Sequence, residues 1–274
     1  MRVSGVRAIM QGARGQGSAD AFRLAREEMG RAWPSYMLGT SIVLFLGLAA
    51  AVSLSVGVSE FEHSALRNQS TEAFYSAFFA DFLFLLVLAV LGANTILKYY
   101  TRSWHDASPS RLAFLGGLPI SAGALVGSRA LCMLSTFVLG SLAFFLPVYF
   151  FSNLGEELGA GAYLSFCGVW VGYGLLGAGL WLLLEFGAND RAYSAIFFTF
   201  ALTLMVVVIA LDWRAGLSLV ERTAQLSQCG FGALSSILSI LVGGATFLLL
   251  ARAAARRIRK DRSLGEPLRA SVEA

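Results

Sequence analysis

Few side chains carry chemistry into the apolar stretches of this sequence, and Asp81 is the one that lies deep enough to demand a reason. An ionised carboxylate at the centre of a bilayer costs about 2.5–3.5 kcal/mol on insertion scales. Asp81 sits four residues inside an apolar run from Ala77 to Leu97, close enough to one end to reach headgroup water. The alternative places it on the wall of a polar cavity. Phe78, Phe79 and Phe82 flank it, and an aromatic wall with one carboxylate suits an amphipathic or cationic molecule. Arg129 and Glu185 lie near the other ends of their own runs, where long side chains snorkel to water.

Other chemistries lack their residues. Neither lysine, Lys98 or Lys260, follows a glycine, so no P-loop cradles nucleotide phosphates in this chain. The two histidines, His63 and His105, fall in loops on opposite sides of the expected membrane. No HExxH or GxSxG sequence occurs, and zinc needs convergent ligands. No catalytic, metal-binding or cofactor-binding residue is expected, and the chain is not expected to be an enzyme. Cys132, Cys167 and Cys229 are odd in number, without CxxC spacing, and suit small apolar packing positions.

The elements that must position Asp81 follow from composition and its arrangement. The 274 residues are 57% hydrophobic and 14% charged, with a mean hydropathy of +0.68; soluble domains carry roughly a quarter charged residues. The apolar residues fall in runs of about 20, the length that crosses about 30 Å of hydrocarbon as a helix. Six runs are expected to span: Tyr36 to Val58, Ala77 to Leu97, Gly123 to Phe150, Ala162 to Leu184, Tyr193 to Leu211 and Cys229 to Ala251. The fold expected is an all-α membrane protein with one transmembrane domain over residues 1–274: an N-terminal segment 1–35, a six-span core 36–251 and a basic tail 252–274. The first 34 residues hold six arginines and no apolar core, so the first span is expected to act as its own signal anchor. Ser18 suits an N-cap and Pro34 a stop. Between them Phe22, Ala25, Met29 and Trp33 recur on one side, as in an amphipathic helix lying in the interface.

Charge orients the chain. Eighteen of the 21 Lys and Arg residues fall before the first span, between Lys98 and Arg129, beside Arg191 or after Ala251; only Arg67, Arg214 and Arg222 fall on the other side. Positive charge stays cytoplasmic during insertion, so a multi-pass cell-membrane protein with both termini inside is expected. These clusters flank spans, which favours lipid headgroups over nucleic acid. The outward segments are short, and Leu217, Val220 and Leu226 among Glu221 and Arg222 suggest short helices dipping into the outer leaflet over 212–228. In the fourth span, Gly168 and Gly172 form a small-xxx-small pair for close helix packing, with a substrate groove as the alternative.

The inward segment from Lys98 to Arg129 suggests a partner. Ser108 suits an N-cap, Pro109 the first helical position and Gly116 the terminator. That leaves Pro109 to Leu115, two turns that are marginal alone in water, with Arg111 beside the apolar Leu112, Phe114 and Leu115. Headgroups or a protein must cover these side chains.

Here the chain resembles the permease subunits of type-2 ABC exporters. The likeness rests on the basic inward segment, the short helix, Leu118-Pro119-Ile120-Ser121 followed by small residues, and Arg129-Ala130-Leu131 entering the third span. The resemblance implies two separate ABC-type ATPase subunits holding ATP and magnesium, a second permease chain (identical or a sister) and export of a hydrophobic or amphipathic molecule. It makes Pro109 to Leu115 the coupling helix that docks on the ATPase. An ion-coupled secondary carrier and a non-transporting scaffold subunit are the competing readings, and scarce intramembrane charge weighs against the carrier.

Overall fold

The computed structural model describes residues 3–64, 71–91, 121–186, 190–215 and 218–270. Among the described residues the chain is all-helical, in the order α1 (Val3–Ser64), α2 (Thr71–Val90), α3 (Ala122–Phe151), α4 (Leu154–Glu185), α5 (Asp190–Ala215), α6 (Leu219–Gln228) and α7 (Gly232–Ala270). Four helices are long and apolar enough to cross a membrane, over Trp33–Ser55, Ala122–Phe151, Leu154–Glu185 and Gly232–Lys260. α2 and α5 add the apolar stretches Phe78–Val90 and Phe198–Ala210. The chain is thus a membrane-embedded helical protein. The end bearing Ser55 and α6 is called outer below and the end bearing Arg252 inner, after the charge asymmetry. The expected helix Pro109 to Leu115, with Arg111, Leu112 and Phe114, lies outside the described residues.

The first correction concerns α1. It runs unbroken through Ser18 and Pro34, where a cap and a stop were expected. Proline removes one helical hydrogen bond, that to the carbonyl four residues back, and here that residue is Gly30. Packing along both sides of the proline outweighs that loss: Ala21 and Ala25 before it, then Tyr36, Val43, Ala50 and Ala51 after it, are all buried. Of the residues expected on its apolar side, Ala25 is buried, while Phe22 and Trp33 are 65% and 57% exposed.

α1 packs along α3, α4 along α7, and α2 and α6 lie against α4. α3 starts where Ser121 accepts a hydrogen bond from the Ala124 amide at 3.1 Å, so the serine of the Leu-Pro-Ile-Ser sequence is a helix cap. α3 ends at Ser152, and the next outer segment is itself helical from Leu154 up to Gly159. Gly159 has φ 67°, a left-handed turn that only glycine takes without strain, and it redirects the chain into the long span. In α4, Gly168 faces Ser236, and Gly172 faces Ser239 and Gly243, all on α7. The missing side chains let the backbones approach, and Ser239 Oγ donates to the Val169 carbonyl at 2.9 Å. Gly177 meets Ala89 of α2 in the same way.

Two apolar clusters stack along the bundle. The outer one is aromatic and centred on Phe84, whose ring lies 4.9 Å from Phe144 at 79° and 5.1 Å from Trp170 at 58°; tilted and edge-to-face rings are the favoured arrangement. The inner one gathers Met133, Trp181, Leu182, Phe186 and Phe247 with Ala122, Val126, Ala254, Ala255 and Ile258. The last three lie beyond Ala251, the expected end of the sixth span. The segment beyond it continues as helix, and its apolar side packs on α3.

Candidate functional site

The outer site is built where α2 meets α6. A helix begins with backbone N–H groups that have no partner within the helix. In α6 these belong to Leu219, Val220 and Glu221, and two side chains meet them. Ser218 accepts from the Glu221 amide at 3.3 Å. Asp81 Oδ2 accepts from the Leu219 amide at 2.6 Å, while Oδ1 accepts from the Val220 amide at 2.8 Å and from Ser218 Oγ at 3.1 Å. Negative charge on a helix N-terminus is favoured by the helix dipole as well. On the next turn Trp170 Nε1 donates to Thr223 Oγ1 at 3.1 Å. Val220 and Ala224 are buried in the aromatic cluster, while Glu221, Arg222 and Gln225 are exposed.

This geometry corrects the expectations for Asp81. The residue is 0% exposed, so it neither reaches headgroup water nor stands on an open cavity wall. Phe78 and Phe82 do stack, with ring centroids 6.3 Å apart, and Phe78 packs against the same aromatic cluster. The short helix anticipated over 212–228 is present as α6, and it is wedged into the bundle.

A second polar constellation lies at the inner end and joins three helices. Arg129 of α3 is 3% exposed. Its Nε donates to Glu185 Oε1 of α4 at 2.6 Å, and its Nη1 donates to Glu28 of α1. Snorkelling to water, expected of both Arg129 and Glu185, is therefore replaced by mutual burial. A guanidinium presents several donors in a fixed plane, so one arginine can serve two carboxylates. Glu28 could not be read as a partner from the sequence because it lies 101 residues from Arg129. Nearby, Cys132 Sγ donates to the Ala25 carbonyl at 3.6 Å, which fits the packing role expected of that cysteine.

Among the described residues an open groove runs along α5, lined by Ala195, Ile196, Thr199, Phe200 and Thr203. The Thr203 hydroxyl is turned back onto the Thr199 carbonyl at 2.7 Å, so it presents little polarity outward. The five residues expected to couple to an ATPase lie outside the described residues, and the arrangement of the bundle leaves that expectation where it stood. What the described polar groups can do is mechanical. They hold an outer helix and an inner helical segment onto a four-helix frame through a few strong, breakable contacts. No protein-family model matches the chain, and neither any curated protein nor any solved structure does.

Proposed function

We propose that the chain is the membrane-spanning permease subunit of an ATP-driven ABC-type exporter. In this reading it crosses the cell membrane six times with both termini in the cytoplasm. It pairs with a second permease chain and couples to two separate ATPase subunits that hold ATP and magnesium. Its cargo is a hydrophobic or amphipathic molecule. The observation that carries the reading is α6. The outer end of the bundle is closed by a ten-residue helix seated in an aromatic cluster and held by one carboxylate. A pathway opened alternately to two sides needs such an element, stable when closed yet released by breaking few contacts. Two features of sequence support it further: the absence of a P-loop, and the apolar residues of the Pro109 to Leu115 segment, which call for a partner. The apolar stretches of α2 and α5 supply the two spans beyond the four long helices.

The test is purification from the native membrane, with identification of what accompanies the chain. An ATPase of nucleotide-binding-domain type is expected to copurify. Leu115→Asp forces a carboxylate into an apolar groove at a cost of several kcal/mol. It is expected to abolish that association, or substrate-stimulated ATP hydrolysis, while insertion remains normal. Normal copurification and coupled turnover in Leu115→Asp overturn the coupling assignment; a wild-type chain purified without any ATPase overturns the permease reading.

A further inference from the structure

One side of α7 changes character along its length in the manner of a phospholipid. At 3.6 residues per turn, Leu241, Leu248, Arg252, Arg256 and Arg259 fall within about 80° of one another around the helix. Leu241 and Leu248 are 63% and 56% exposed, and all three arginines are exposed as well. Of the buried residues of the same turns, Ala254 and Ile258 lie on a different side and Ala255 borders the stripe, and all three belong to the inner cluster. The stripe is therefore turned away from the protein, and it is apolar first and cationic afterwards.

Its level in the membrane follows from helix rise. From Gly232, the start of α7, to Arg252 the axis advances about 30 Å, one hydrocarbon thickness. An independent helix agrees: from Ser55 at the outer end of the first span to Trp33, the advance is about 33 Å. Trp33 is 57% exposed, and tryptophan belongs at the interface. The leucines thus face acyl chains, and the arginines begin where headgroups begin. Between Gly232 and Lys260 the sequence has no Asp or Glu, so the stripe carries no carboxylate of its own. Arg259 turns its Nε toward the Ala255 carbonyl at 3.4 Å, and the residue as a whole is exposed.

We infer that this side of α7 is a binding site for an anionic phospholipid, with acyl chains along Leu241 and Leu248 and the phosphate held by Arg252, Arg256 and Arg259. Planar guanidinium groups match phosphate oxygens in pairs. The bound charge relieves the crowding of like charge along the stripe. The site depends only on membrane embedding and stands whether or not the chain transports anything.

The test uses the full chain, purified in neutral detergent and titrated with phosphatidylglycerol or phosphatidylcholine while bound lipid is counted by native mass spectrometry. Phosphatidylglycerol is expected to bind in preference. Each arginine neutralised is expected to weaken it about fivefold, and Arg252→Gln/Arg256→Gln/Arg259→Gln together on the order of a hundredfold, with phosphatidylcholine unaffected. Arg252→Gln alone, a single exposed change, serves if the triple variant does not fold, and it is expected to show the fivefold step. Equal binding of the two lipids by the wild-type chain, or an undiminished preference in the variants, overturns the site. Glycerol 3-phosphate binding as tightly as the lipid would make it a site for free phosphate. Displacement of the lipid by a copurifying acidic protein would make it a protein interface.

Discussion

The two polar constellations are most exposed to test at the level of single residues. Asp81→Asn keeps one oxygen acceptor but replaces the other with an amide donor that opposes the Leu219 or Val220 N–H. A buried donor left unmade costs about 1–3 kcal/mol, and the site is fully buried. Asp81→Asn is therefore expected to lower resistance to unfolding by about that amount. It is also expected to raise the reactivity of a cysteine placed at Glu221, as α6 loosens. Unchanged stability and reactivity would remove Asp81 from its capping role. Arg129 calls for a cycle rather than a single change. Arg129→Gln leaves two carboxylates together with their cation gone, a loss of about 3–5 kcal/mol. Adding Glu28→Gln and Glu185→Gln to that variant is expected to recover part of the loss, because the three act as one network. Additive losses from the three substitutions would show that the charges are not coupled. The sequence marked Asp81 as costly to bury, and it is; its partners were invisible because they are mostly backbone N–H groups 137 to 139 residues away. Arg129 was misjudged for a related reason, since depth within its own run says nothing of what two other helices bring beside it.

Glycines separate what a helix needs from what a helix pair needs. A Cβ at Gly172 would enter the backbone of Ser239, whereas one at Gly30 meets nothing within 4 Å. Gly172→Ala is accordingly expected to push α4 and α7 apart and destabilise by about 1–3 kcal/mol, the ordinary range for overpacking. Gly30→Ala is expected to be stabilising by about 0.4–1 kcal/mol, since the helical conformation suits alanine and its unfolded chain has fewer states. Thermal unfolding in one detergent checks both, and equal behaviour of the two would deny α4 and α7 their close contact. The Gly168 and Gly172 spacing was sufficient to expect tight packing, though it could not name α7 as the neighbour. Pro34 shows the opposite limit. A local breaker signal is worth about 3 kcal/mol, and a helix with a long buried side on both flanks can absorb it. The same weighing explains α7, whose basic sequence beyond Ala251 concealed Ala254, Ala255 and Ile258 at packing intervals.

For the whole molecule, the alternation of apolar runs with short polar segments was legible because it depends only on length and transfer energy. The four long helices begin and end near the expected limits, apart from the extended ends of α1 and α7 and the earlier start of α4 at Leu154. Which helices touch was not legible, since every span is apolar on all sides and periodicity gives no preferred partner. Orientation is the property most open to direct test. A cysteine near Glu221 is expected to react with an impermeant thiol reagent added outside intact cells. One near Arg257 is expected to react only after permeabilisation. Labelling of the Arg257 site from outside would invert the proposed topology and, with it, the placing of α6 at the outer end.

The pairing of Asp81 with α6 also sets an order in time. Asp81 and Ser218 are separated by 137 residues, and at synthesis rates of about 5–20 residues per second the ribosome needs roughly 7–27 s to bridge them. Throughout that interval α2 carries a carboxylate whose eventual partners do not yet exist. Only when the penultimate span has emerged does the charge acquire its cap. The first turn of α6 thus completes a contact that α2 has lacked since its own synthesis, and a nascent chain arrested before Ser218 is expected to leave Asp81 uncapped.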